Sequence, residues 1–288
     1  MENNIFTLSE VIKETTEKVL SGKPDNPKNQ ITVNEDLAFR KGELVVLASR
    51  PSIGKTAFAL SLLRKLAFDS NASAGFCSLG DVNRRQIGMR LLSQVAEIVY
   101  TKIISGSLKK EESKKLMLAA DELSKAPVFV SDEKNVSLTK LKSIIKRMAE
   151  QQKTQLVFIG CLGDILECRD FFDTCFTEES HDITDSCRLV VSDILDSMKQ
   201  LATDLNLSVV LLMNLFRTSS GTVPSIRSFK GLSGIVRDKA DEILLLDRLR
   251  VPEHVFCTDY SLKLYNTRLE KADMITGNYI VPYRSFEL

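Results

Sequence analysis

Ser49-Arg50-Pro51-Ser52-Ile53-Gly54-Lys55-Thr56 follows the apolar run Leu44-Val45-Val46-Leu47-Ala48 and opens a helical pattern from Thr56 to Phe68. Strand, loop and helix in that order give a phosphate-binding loop its mechanism. Backbone N–H groups and the helix N-terminus hold the phosphates, Lys55 reaches the β and γ oxygens, and the Thr56 hydroxyl is offered to Mg²⁺. The expected ligand is therefore ATP or another nucleoside triphosphate with Mg²⁺. The first position is Ser49, where such loops usually carry glycine.

Working outward, the chain has 288 residues, ample for a large core. Residues 1–30 read as an N-terminal helix and linker. Thr7-Leu8-Ser9-Glu10 is a capping-box pattern that starts an amphipathic helix, and Ser21 to Gln30 is rich in turn formers. The apolar face of that arm needs a surface, either on its own domain or on a neighbouring subunit. Residues 31–288 form the main domain.

There, strand-like runs are expected over Glu43–Ala48, Ala74–Leu79, Pro127–Ser131, Leu156–Cys161, Ser208–Asn214 and Glu242–Asp247. Two more are expected over Tyr260–Thr267 and Tyr279–Tyr283. Helical stretches are expected near 56–68, 83–100, 109–125, 137–152 and 188–206. Alternation with near-continuous apolar strands predicts an α/β fold, a mostly parallel twisted sheet with helices on both faces. Ligands in such sheets sit at the carboxyl ends of the strands.

Hydrophobic residues make up 43% and charged residues 27%, and 39 Lys plus Arg against 38 Asp plus Glu leave a net charge of +1. No global nucleic-acid footprint follows from that balance, so DNA contact would need local patches. No apolar run approaches membrane-spanning length and the N-terminus does not read as a signal peptide, so a cytoplasmic protein without membrane contact is expected. Cys77 and Cys161 lie in apolar runs and read as core. Cys168, Cys175, His181 and Cys187 match no structural-zinc spacing.

The loop's Arg50-Pro51-Ser52, with Ala57-Phe58-Ala59-Leu60 after it, resembles the form found in replicative hexameric DNA helicases of the DnaB type, whose motor domain is a RecA-like P-loop fold. The N-terminal helix and linker resemble that family's linker helix, and no counterpart of its N-terminal collar domain is read here. The resemblance implies a homo-oligomeric ring, a hexamer, and single-stranded DNA or a replication protein as partners. It also maps departures. The family's water-activating Glu falls at Gly80 in Ser78-Leu79-Gly80-Asp81, and its Mg²⁺-organising Asp falls at Gly160 in Phe158-Ile159-Gly160-Cys161. Asp81 and Asp164 are the nearby carboxylates that stand as substitutes. Asn214 corresponds to the family's sensor glutamine, and Arg268 to an arginine finger acting in trans.

Two missing carboxylates imply weak or absent hydrolysis, hence a nucleotide-binding scaffold or regulator in DNA replication or repair. The alternative is an active ring-forming helicase. The family's first channel loop is acidic here, from Asp164 through Asp185 with Phe171, Phe172 and Phe176, which disfavours phosphate contact and suits a protein partner. Arg217, Arg227, Lys230 and Arg237 mark the second channel loop as the candidate DNA contact. A further basic set, Lys140, Lys142, Lys146, Arg147 and Lys153, marks one helix.

Overall fold

A computed structural model describes residues 30–169, 183–215, 223–248, 255–267 and 271–288. Residues 31–288 group into one compact unit apart from residues 1–30, and the arm expected over 1–30 lies outside the described residues but for Gln30.

The elements run β1 (Gln30–Thr32), β2 (Ala38–Arg40), β3 (Leu44–Ser49), α1 (Lys55–Asp69), β4 (Ala74–Ser78), α2 (Arg84–Ala96), α3 (Tyr100–Ser105), α4 (Lys110–Ser124), β5 (Val128–Ser131), α5 (Leu138–Gln152) and β6 (Leu156–Gly160). After a 3-10 turn at Leu162–Asp164 come α6 (Asp185–Asp204), β7 (Ser208–Asn214), a 3-10 segment at Ile226–Leu232 and α7 (Ser233–Lys239). The strands β8 (Glu242–Arg248), β9 (Cys257–Asn266), β10 (Lys271–Ile280) and β11 (Ser285–Phe286) complete the order.

The main sheet has nine strands in the order β11-β10-β9-β8-β3-β7-β6-β4-β5. Strands β8 through β5 in that order pair in parallel, whereas β9, β10 and β11 pair antiparallel at one edge. The expected mostly parallel α/β sheet is thus the observed one.

Alternation explains why the parallel strands read as unbroken apolar runs. Leu44, Val46 and Ala48 of β3 enter one core with Val157, Ile159, Leu211 and Met213, covered by α5, α6 and α7. Val45 and Leu47 enter the other with Phe158, Val210 and Leu212, covered by α1 and α2. A strand buried on both faces has no polar side to show.

Two expectations are corrected. The helix expected over 83–100 ends at Ala96, because Glu97 adopts a left-handed C-cap (φ 52°) and Ile98 N–H donates to Ser93 O; α3 then starts anew. The strand expected at Tyr279–Tyr283 runs instead over Lys271–Ile280, paired residue for residue with β9, and the short β11 follows it. Ala272, Asp273 and Met274 are exposed there, so no apolar run advertises it.

Candidate functional site

β3 is the middle of the sheet, flanked by β7 and β8, and it delivers the loop at its carboxyl end. The chain reverses through Ser52 (φ 66°) and Gly54 (φ 115°), after which Lys55 opens α1. No side chain caps α1, which leaves its first-turn N–H groups for an anion to satisfy. The flanking strand end braces this loop. Arg50 Nη2 donates to Asp247 Oδ1 at 2.7 Å, and Arg248 Nε donates to Ile53 O at 2.5 Å.

Lys55 is almost wholly buried. Its Nζ donates to Asn214 Oδ1 at 2.6 Å, to Ser49 Oγ at 3.2 Å and to Ser49 O at 3.3 Å. Ser49 Oγ itself donates to Arg50 O at 2.9 Å, so the serine in the usual glycine position ties the lysine to the loop. Burial pushes the Lys55 ammonium below its ordinary pKa, while Cys161 and Asp164 pull the other way. Asn214 reaches Lys55 because Ser49 and Asn214 are register partners at the ends of β3 and β7.

β4 and β6 are neighbours, with Ser78 opposite Gly160. Their ends bring Gly80 and Gly160 to the same cavity as Lys55. The two nearby carboxylates both line this cavity but have different neighbours. Asp81 is fully exposed and its carboxylate faces Lys134 Nζ at 3.5 Å. Asp164 turns back: a Cβ on Gly80 would stand 2.7 Å from Asp164 Oδ2, and that oxygen accepts from Cys161 N–H at 3.0 Å. A Cβ on Gly160 would meet the Leu212 side chain at 3.2 Å. Cys161, expected in the core, is half-buried one residue beyond β6; burial pushes its thiol pKa up, and Sγ lies 3.1 Å from Leu212 O as a donor to it.

The cavity measures 1070 Å³. Lys55, Thr56, Asp164 and Asn214 line it together with Arg90, Tyr100, Tyr279 and Arg284. The Arg248 guanidinium lies 4.3 Å from the Tyr279 ring centre, and that of Arg284 lies 4.3 Å from the Tyr100 ring. None of these stood out in the sequence. They come from separate elements, and no local spacing links them.

A nucleoside triphosphate fits this donor set: a buried ammonium, an uncapped helix start and a roomy cavity with cationic and aromatic walls. Among the described residues no cluster of three His, Cys, Asp or Glu side chains stands ready for a metal. The Thr56 hydroxyl at the cavity suits Mg²⁺ carried on phosphate oxygens, since that ion keeps several non-protein ligands.

Arg227, Lys230 and Arg237 do not join this cavity. Arg227 and Lys230 lie on the Ile226–Leu232 segment, anchored by buried Phe229 and Leu232, and Arg237 on α7 faces Asp238 at 3.6 Å. Arg217 and Arg268 lie outside the described residues, as do Phe171, Phe172 and Phe176. Of the acidic run, Glu167 accepts from Leu138 N–H at the start of α5, and Asp185 pairs with Arg188 at the start of α6. Cys168 and Cys187 are buried core residues.

Residues 35–275 match the family described as DnaB-like helicase C terminal domain. The chain belongs to this family. Within it, the chain is 28% identical over 212 residues to the replicative DNA helicase DnaB of Treponema pallidum, covering 74% of this chain and 45% of that protein. It is 27% identical over 180 residues to the DnaB of Geobacillus stearothermophilus, covering 62% and 37%. The chain therefore spans less than half the length of these DnaB relatives. Two solved structures share the fold. One is an isolated ATPase domain (TM-score 0.74, 21% identity, 98% of this chain and 99% of that chain). The other is a DnaB-like replicative helicase studied with primase (TM-score 0.75, 21% identity, 99% and 67%). The RecA-like fold expected of a DnaB-type domain is the fold observed.

Proposed function

We propose that this DnaB-like domain binds ATP through residues 49–56 and hydrolyses it weakly, serving as a scaffold or regulator in DNA replication. One observation carries this reading. Buried Lys55 is held by Ser49 and Asn214 at the uncapped start of α1, while the adjoining strand ends present Gly80 and Gly160 instead of carboxylates. In this reading Lys55 neutralises the β and γ oxygens, and Asn214 positions Lys55. Mg²⁺, when bound, supplies charge neutralisation on the phosphates, with the Thr56 hydroxyl as its protein ligand. Loss of a carboxylate that activates water lowers the rate by orders of magnitude without weakening the grip.

A homo-oligomeric ring is part of the proposal, with Arg268 reaching a neighbour's γ-phosphate and Arg217, Arg227, Lys230 and Arg237 turned to single-stranded DNA. The relative studied with primase makes another replication protein a reasonable partner. A second reading, the active helicase, is favoured by the Asp164 carboxylate beside Gly80.

ATP binding and turnover, measured with and without single-stranded DNA, separate the two. The expected result is saturable ATP binding that Lys55→Ala abolishes, with turnover well below the ~1 s⁻¹ at which ordinary enzymes begin. Faster, DNA-stimulated turnover that disappears in Lys55→Ala would establish the motor instead.

A further inference from the structure

The geometry points to Asp164 as a relocated catalytic carboxylate, seated in the space that Gly80 leaves open, which carries the hydrolysis this site performs. The inference rests on the reading of the cavity as an ATP site and adds to it the residue that acts on water.

Four observations converge. Asp164 lines the same cavity as Lys55 and Thr56. Its carboxylate occupies the position that any side chain on residue 80 would need, since a Cβ there would lie 2.7 Å from Oδ2, 3.0 Å from Cγ and 3.2 Å from Oδ1. It is held by the Cys161 N–H at 3.0 Å within the 3-10 turn, and the neighbouring Ile165 N–H donates to Leu162 O at 3.1 Å. Its charge is also felt by Lys55, the group that grips the phosphates. Glycine at 80 and aspartate at 164 are therefore two halves of one arrangement: the first makes room, and the second fills it with a carboxylate. A carboxylate kept beside a phosphate grip is costly unless it has a task there, because it repels the anion the grip is built to hold.

The task is proton acceptance. The water oxygen bonds to the γ-phosphorus, and the bond from that phosphorus to the β,γ-bridging oxygen breaks with its electron pair staying on ADP. The proton shed by water passes to an oxygen of Asp164 and on to solvent. Asp164 is a short side chain fixed by its own turn, so its reach toward the water is limited, in keeping with slow turnover.

The test uses the full chain and two measurements, ATP affinity by fluorescence titration and turnover by phosphate release. Asp164→Asn keeps an oxygen to accept from Cys161 N–H and removes only charge and basicity. Turnover is expected to fall about 100-fold or more, the usual size of a general-base effect, with ATP affinity unchanged or tighter. Gly80→Ala drives a methyl group into the carboxylate and is expected to slow turnover with folding intact by thermal melting. The double variant should be no slower than Asp164→Asn alone.

Turnover in Asp164→Asn equal to wild type, or strictly additive losses in the double variant, would overturn the role of Asp164. Weakened ATP affinity in Asp164→Asn would overturn it too, by showing a structural carboxylate. A wild-type chain that binds ATP without any turnover refutes Asp164 alone, whereas one that fails to bind ATP refutes the nucleotide site itself.

Discussion

Gly54 carries φ 115°, a backbone conformation that side-chain-bearing residues avoid, and its Cα faces the Phe286 ring, 3.4 Å from where a Cβ would stand. That distance is ordinary contact, so the positive φ rather than packing is what demands glycine here. Gly54→Ala should cost about 1–2 kcal/mol, read as a lower melting temperature, and should weaken ATP binding by displacing Lys55. Unchanged melting and affinity would show that the loop relaxes freely. Residue-scale conformation was legible where it is local, as in the turn from β3 into α1 through Gly54-Lys55-Thr56. It was illegible for Arg248, whose Nε holds Ile53 O from a strand end 195 positions away in sequence. The same limit applied to Asp81 and Asp164: both line the cavity, but the turn after β6 sets Asp164 against Gly80 while Asp81 faces Lys134.

At the scale of elements, the start of β8 shows how the sheet tolerates charge at the ends of its strands. Asp241 Oδ2 accepts from Leu44 N–H at 2.8 Å and from Lys199 Nζ at 2.5 Å, which joins β3, α6 and β8. Glu242, next along, is half-buried, and burial with Glu43 and Asp241 nearby pushes its carboxyl up to about 7, against the pull of Arg40. The folded state thus keeps this proton over a range where the unfolded chain, with an ordinary value near 4.5, has lost it. Stability must fall as pH rises from about 4.5 to about 7, because the folded state binds more protons there. Glu242→Gln removes that dependence and should stabilise by on the order of 2 kcal/mol at pH 8 and much less at pH 5. Melting curves at both pH values check this, and an equal effect at the two would contradict it. Elements buried on both faces, such as β3, β6 and β7, announced themselves as apolar runs. β10 did not, because its outer half is exposed and its place is set by pairing with β9.

At the scale of the whole molecule, family membership raises assembly as the next question. A ring in which Arg268 serves a neighbour makes turnover depend on subunit contacts, so ATP should raise the native mass in multiples of 32.2 kDa. Arg268→Ala should leave ATP binding intact while lowering turnover about 100-fold or more, the smaller end of what a charge-stabilising group contributes. Native mass spectrometry and phosphate release check both, and a chain monomeric at all ATP concentrations would remove any role for Arg268 in trans. By itself the sequence determined the doubly covered parallel sheet and the place of residues 49–56 between β3 and α1, because apolar periodicity and turn chemistry act over a few neighbouring residues. Only the tertiary structure decided which carboxylate lies against Gly80, and that Arg248, Tyr279 and Arg284 wall the same cavity. Those groups meet because separate strands end side by side, and register across a sheet is fixed by packing of the whole core rather than by any local stretch of chain.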